Sequence, residues 1–319
     1  MGRIFNIRET ALSEAIAGIL ATQPNDYVQI PNLYSFTLRK KYIQDDRVQI
    51  VTSGGGGYGP QFAGFVGEGM ADAVSHGDFD CAPNAYSIYE VSKMIDRGKG
   101  IMLITNHFTG DYLNNDMAQE LLATDGIDSR ACYASDDVFS ARGEEKEKRG
   151  GLSGIAMLIK TAAAAAGAGM RLEEVFRITE KANHRLRTVT VRVSEDNQRM
   201  DFGAGFSGEA PVKIMDFISA DHLAEQAVKF AMSELADYQH DSRVHFTVNR
   251  MANMSYLEGY VVLTAVKKAL EAAGYSVGRC AVGGYFDAFD SNGCMISMLA
   301  ADSELESYLL PVCGYDFSL

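Results

Sequence analysis

Residues Val48 to Thr52 form an apolar run that passes directly into Ser53 and four consecutive glycines, Gly54 to Gly57, followed by Tyr58, Gly59 and Pro60. A buried strand that ends in glycines bares main-chain N–H groups at a sheet edge, where a small polar or anionic ligand can approach the backbone. Ser53 to Pro60 is therefore the first candidate binding segment. Gly54, Gly56 and Gly59 also spell G-x-G-x-x-G, the spacing of a dinucleotide site. No Lys-Ser or Lys-Thr follows, which excludes a Walker loop, and Pro60 and Gly64 interrupt the helix that would carry a pyrophosphate on its N-terminus. The same spacing recurs at Gly203, Gly205 and Gly208. The pattern alone is weak, because ligand-free tight turns needing positive φ use the same residues.

At 319 residues, 47% hydrophobic and 22% charged, the chain can bury a large core and divides naturally into two α/β domains, each a sheet flanked by helices. The division falls at 1–183 and 184–319, with one glycine-rich segment in each part. A formal charge of −13 disfavours direct contact with nucleic acid, since no basic patch is available to release counterions. Cys81, Cys132, Cys280, Cys294 and Cys313 are scattered and lack C-x-x-C spacing. Neither a disulfide framework nor a zinc site is indicated, and a reducing cytoplasm fits. No membrane span or secretory leader is expected.

Apolar periodicity predicts helices at Thr10 to Ala21 and Tyr86 to Ile95, with strands at Val48 to Thr52 and Ile101 to Thr105. Gly150 to Ala168 predicts a buried alanine-rich helix ending at Gly167 or Gly169. Arg142 to Arg149 reads as a solvated charged connector. Val189 to Val193 and Met200 to Phe202 flank a hairpin-like connection. Leu257 to Ala273 predicts a long helix, and Val282 to Phe286 and Met295 to Leu299 predict closing strands. The six histidines show no H-x-H or H-x-x-x-H spacing, which argues against a dedicated metal site. His107, four residues before Asp111, is a candidate replacement base or a packed imidazole, and His76 reads as structural. Asp78 and Asp111 read either as an acid/base pair or as caps of local turns.

The order of motifs resembles the substrate-binding subunit of phosphotransferase-system-dependent dihydroxyacetone kinase along nearly the whole chain. The resemblance rests on Ser53-Gly54-Gly55-Gly56 with Pro60, on Gly64 to Met70, which matches a helix start in that family, and on Gly77 to Pro83. It continues through Gly100 to Ile104, Thr109 to Asn114, Asp136-Asp137-Val138, Arg149 to Gly154, Phe202 to Glu209, Val248-Asn249 and Ser297 to Leu299.

The departures bear on function. Where the resemblance implies a histidine that holds the ketone as a covalent hemiaminal, this chain has Ser207, which lacks an imidazole nitrogen and needs a base to act as a nucleophile. Where it implies a general-base histidine, the chain has Tyr58, a phenol with an ordinary pKa of about 10. A family lysine becomes Asn106, and a serine before the proline becomes Ala82. Asp111 retains the acid/base position. The candidate catalytic positions are thus Asp111, Tyr58 and Ser207; the candidate ligand positions are Gly54, Gly55, Gly56, Ala82, Asn106, His107, Gly205 and Gly208. No metal or cofactor is expected.

Two functional classes remain open. The chain is a non-catalytic paralogue that binds a small hydroxylated metabolite and acts through a partner, as co-activator relatives do, although those keep the anchoring histidine. Alternatively it is a kinase subunit for dihydroxyacetone or another small ketose or polyol, with Asp111 as base and a separate phosphoryl-donor subunit. The resemblance also implies a homodimer and, for the sensor reading, a transcriptional regulator as partner. A scaffold that has lost its ligand is the plainest alternative.

Overall fold

The computed structural model describes residues 4–57, 59, 61–141, 148–205, 210–287 and 292–309. Two compact units result: Met1–Tyr133 with Ala156–Glu180 and the end from Tyr308, and Ala134–Ile155 with Lys181–Ser307. Residues 134–155 therefore belong with the second unit and not with the first, as a single cut at 183 has it. Both units are α/β.

Unit 1 carries a six-stranded sheet of order β1-β2-β4-β3-β5-β6, comprising β1 (Tyr27–Gln29), β2 (Phe36–Leu38), β3 (Gln49–Gly56), β4 (Ala73–Phe79), β5 (Ile101–Asn106) and β6 (Ser129–Ala134). β3 runs parallel to both β4 and β5, with Val51 opposite Ala73 on one side and Leu103 on the other. Strands enclosed on both faces read as continuous apolar runs, which is why Val48 to Thr52 and Ile101 to Thr105 stand out in the sequence. Val51, Val74, Ile101 and Ile104 are fully buried. Arg47 fixes the entry to β3, donating to both carboxylate oxygens of Asp72 at 2.9 and 2.6 Å, while Asp72 Oδ2 also accepts the Ile50 N–H at 2.8 Å.

The helices of this unit are α1 (Arg8–Thr22), α2 (Ala85–Ile95), α3 (Thr109–Thr124) and α4 (Ile155–Gly167). Asn84 caps α2 by accepting the Ser87 N–H at 2.9 Å, the bond that an Asx residue before a helix supplies. In α4 the alanine-rich run is buried nearly all round, as its composition requires, but the helix begins at Ile155 and not at Gly150. The segment Gly64 to Met70 is a correction: a 3-10 turn at Ala63–Phe65 leads through a turn in which Met70 N donates to Gly67 O at 3.0 Å. No helix starts there, because three glycines in seven residues leave too little to hold one.

Unit 2 has a second six-stranded sheet of order β11-β10-β12-β7-β8-β9, with β7 (Leu186–Val193), β8 (Arg199–Phe202), β9 (Lys213–Asp216), β10 (Arg243–Arg250), β11 (Ser276–Gly283) and β12 (Gly293–Ala301). Helix α5 (Leu172–His184) spans the division between units, and α6 (Ala220–Ser233) and α7 (Tyr256–Ala272) pack on this sheet, followed by α8 (Ser303–Leu309). Val191, Phe202, Phe246 and Ile296 form its core with Ala227 and Val266. A capping box starts α7, with Glu258 N donating to Ser255 Oγ at 3.2 Å and Ser255 N to Glu258 Oε2 at 2.8 Å. The β7–β8 hairpin is present, pairing Val191 with Phe202.

Two expectations fail in this unit. The strand expected at Val282 to Phe286 lies earlier, because the Asn249 side chain takes over the chain at 285–286: its Oδ1 accepts the Tyr285 and Phe286 N–H groups at 2.6 and 2.8 Å, and its Nδ2 donates to Phe286 O at 2.7 Å. Arg149 is not solvated. Its side chain is 1% exposed and pairs with Glu234 at 3.0 Å. Residues 142–147 of the charged run lie outside the described residues.

Candidate functional site

In unit 1 the chain leaves β3 toward β4 and leaves β5, through α3, toward β6. Adjacent parallel strands whose connections diverge leave a crevice at their carboxyl ends, the usual ligand position in open α/β sheets. Gly54, Gly55 and Gly56 end β3, Asn106 ends β5, and Asp111 lies in the first turn of α3. Hydrogen bonds tie these pieces together. Thr105 Oγ1 donates to Ser53 O at 2.6 Å, and Asn115 Nδ2 reaches Ser53 Oγ and Asp111 O, both at 2.9 Å.

The three glycines of β3 have a packing reason of their own. A Cβ at Gly54 would stand 1.9 Å from the Phe62 ring, one at Gly55 would stand 3.3 Å from the Cys81 backbone, and one at Gly56 would meet Leu12 at 2.6 Å. None of the three takes a positive φ; among the described residues of this loop Gly57 does, at 95°. The run is thus a strand end that lets other segments close over it. The tight-turn explanation applies to Gly57 and, in unit 2, to Gly203, whose φ is 68°.

Ala82 borders the same end, with Gly110 so close that a Cβ there would be 3.3 Å from the Ala82 methyl. Asn106 is 2% exposed and Asp111 9%, and Asn106 Oδ1 and Asp111 Oδ1 have no hydrogen-bond partner. Burial pushes the Asp111 carboxyl up to about 7. His107 packs in an aromatic group, stacked on Tyr133 at 6.0 Å with Tyr112 at 5.2 Å. Asp78 is exposed and gives Oδ1 to its own turn, accepting the Phe79 N–H at 2.7 Å, so a cap describes it. His76 is buried beside Gly54, its Nδ1 3.1 Å from Gly77 O, and desolvation holds its pKa below the ordinary imidazole value.

In unit 2, Gly205 O accepts from Arg192 Nη2 at 2.6 Å, and Gly203 lies against Phe139. Ser207, Gly208 and Tyr58 lie outside the described residues. Asp136 and Asp137 are structural. Asp136 accepts the Leu152 and Gly154 N–H groups at 2.8 and 3.0 Å and also the Thr188 hydroxyl, while burial raises the pKa of both carboxyls, that of Asp137 to about 6. Sequence reasoning missed Asn115, Gln61 and Phe62. The i,i+4 spacing of Asp111 and Asn115 was the available signal for the first.

The family described as the Dak1 domain matches residues 17–314. The chain belongs to the Dak1 domain family. It is 29% identical to the dihydroxyacetone-binding subunit of PTS-dependent dihydroxyacetone kinase 2 of Listeria innocua over 326 residues, 98% of each chain. It is also 29% identical over 324 residues to an L-erythrulose kinase of Pectobacterium atrosepticum, covering 97% of this chain but 54% of that protein, so it spans about half of that relative's length. A solved structure titled dihydroxyacetone kinase operon co-activator Dha-DhaQ superposes with a TM-score of 0.83 at 24% identity, over 93% of this chain and 94% of that one. At that identity the likeness concerns the fold, and this Dak1 chain shares it. Among the described residues no helix is long and apolar enough to cross a membrane, and no group of three or more His, Cys, Asp or Glu is placed to hold a metal ion.

Proposed function

We propose that this Dak1-family chain is the ligand-binding subunit of a dihydroxyacetone-kinase-type system, that it holds a small hydroxylated metabolite without a covalent bond, and that it acts through a partner protein. The observation that carries the site is Asp111: 9% exposed, with one carboxylate oxygen lacking a partner, at the divergent carboxyl end of the sheet. A buried acceptor left without a donor is costly to the free protein, so a ligand that supplies the donor gains from meeting it. Gly54, Gly55, Gly56, Ala82, Asn106 and His107 form the surrounding positions. The non-covalent, regulatory part of the reading rests on Ser207 and Tyr58, neither of which has the imidazole that ketone capture and proton abstraction need. A homodimer and a regulator as partner follow the resemblance to the kinase subunits, and the scattered cysteines fit a cytoplasmic setting.

The second reading, a kinase subunit for dihydroxyacetone or a related ketose or polyol, is favoured by the Asp111 carboxyl itself. With its pKa near 7 it is matched to accept a hydroxyl proton at neutral pH, the phosphoryl group coming from a partner subunit. Incubation with dihydroxyacetone and a phosphoryl-donor subunit separates the two. The regulatory reading expects thermal stabilisation by ligand without phosphorylated product, and loss of that stabilisation in Asp111→Asn. Turnover abolished by Asp111→Asn establishes the kinase reading instead.

A further inference from the structure

Helix α7 presents two different surfaces along its length. Its first two turns carry Tyr256, Leu257, Tyr260 and Val261, each more than half exposed, at i, i+1, i+4 and i+5, so one solvent-facing side of the helix is apolar. A surface helix ordinarily keeps polar residues there, and contiguous exposed apolar residues mark a contact. Tyr256 is braced by Arg250, whose guanidinium carbon stands 3.8 Å from its ring centroid. From Ala265 onward, α7 forms one wall of a groove of about 620 Å³. Ala265, Ala269 and Ala272 line it from α7, and Val228 and Met232 from α6. Small side chains on a groove wall let a further helix come close.

Stripe and groove follow one another on the same helix, which makes the surface complementary to itself under a two-fold axis. A chain cannot fill its own groove, since Leu257 and Ala272 lie about 22 Å apart along the helix axis. An antiparallel copy turned about an axis near Thr264 lays residues 256–261 of each chain over residues 265–273 of the other. Two copies of a chain with a formal charge of −13 repel each other, so a contact between them needs a locally neutral surface. The four stripe residues are uncharged. The groove is edged by two acids and two bases, Asp221, Glu225, Lys229 and Lys268, of which Lys268 donates to Asp221 Oδ2 at 2.6 Å. We infer that this surface binds a second copy of the chain, the first two turns of α7 of each protomer seated in the groove between α6 and α7 of its partner. The inference rests on the homodimer of the proposed reading and goes further by naming the surface that forms it.

Sedimentation velocity of the full chain from about 1 to about 100 μM tests this, because the population of a dimer follows concentration. The wild type is expected to sediment as a dimer. Leu257→Glu and Val261→Glu on the stripe, and Ala272→Arg on the groove, are each expected to weaken it by about thirtyfold or more, since a charge placed in an apolar contact is left unpaired. All three side chains are exposed in the single chain, so each variant is expected to keep the wild-type circular dichroism spectrum and melting temperature. Should one misfold, the variants on the other side of the contact still decide. Mixing Leu257→Glu with Ala272→Arg is expected to restore dimers, because one of the two symmetric contacts is then wild type and the other sets Glu against Arg. A dimer that survives substitution on either side, or a mixture that stays monomeric, overturns the inference and leaves a homodimer through another surface. A wild type that is monomeric throughout the range overturns both.

Discussion

Asn115 Nδ2 lies 2.9 Å from Ser53 Oγ and equally 2.9 Å from the main-chain oxygen of Asp111. One fully buried amide thus joins the strand that ends in glycines to the helix turn that carries the buried carboxyl. Asn115→Leu removes both side-chain donors and leaves the Ser53 hydroxyl unmatched in the interior, while Asp111 O keeps its intrahelical N–H. The expected cost is about 1–3 kcal/mol, together with weakened ligand binding. Urea unfolding and a ligand thermal shift on the same variant measure the two effects.

Gly54 and Phe62 constitute a second dependency. A methyl at position 54 would fall 1.9 Å from a ring that is only 2% exposed and cannot swing into solvent. Gly54→Ala is expected to cost roughly 1–3 kcal/mol, and less in a Phe62→Leu background. A double-mutant cycle by chemical denaturation should therefore show a coupling of at least about 0.5 kcal/mol; additive effects would mean that the ring is not what requires the glycine.

The Asp111 carboxyl has a definite pH signature. Its folded pKa, about 7, is above its ordinary value of 3.8, so between those values the folded state binds more protons than the unfolded state. Stability from this group is then present at low pH and lost as pH rises through about 7. Asp111→Asn cannot ionise and escapes that loss. It should be more stable than the parent by roughly 2–4 kcal/mol at pH 8 and about equal to it at pH 4, read from denaturation midpoints of both proteins across that range.

Asp136 predicts the reverse outcome for a carboxylate whose acceptors are used. Its side chain accepts the Leu152 and Gly154 N–H groups and the Thr188 hydroxyl. Asp136→Ala leaves the buried Leu152 and Gly154 N–H groups without partners, while the Thr188 hydroxyl keeps Ser297 Oγ at 2.7 Å, and should cost about 3–5 kcal/mol in a denaturant titration, with hydrogen exchange accelerating first at residues 152 and 154.

Apolar periodicity and the short polar connection locate α1, α2, α7, β3, β5 and the β7–β8 hairpin, because in each the local pattern and the tertiary environment ask for the same residues. Where the fold departs from the sequence reading, a single buried polar side chain is usually responsible. Asn249 captures the backbone of Tyr285 and Phe286 and ends β11 at Gly283, and Glu234 draws Arg149 inward from a charged run. Partners 36 and 85 residues away in sequence leave no local trace. At the site, the motif around Asp111 was readable, but its burial was not, and neither were the packing roles of Gly54 and Gly56, which depend on Phe62 and Leu12 arriving from other segments.

The central claim, a hydroxylated ligand held without a covalent bond at the Asp111 end of the sheet, is most directly tested by titrating the protein into dihydroxyacetone labelled with carbon-13 at its carbonyl carbon and following that carbon by NMR. The account predicts concentration-dependent broadening or shift of the ketone and hydrate signals, lost in Asp111→Asn, with no new signal of a carbon bonded to nitrogen. A hemiaminal resonance contradicts the absence of a covalent anchor, and spectra unchanged by the protein contradict binding at this site.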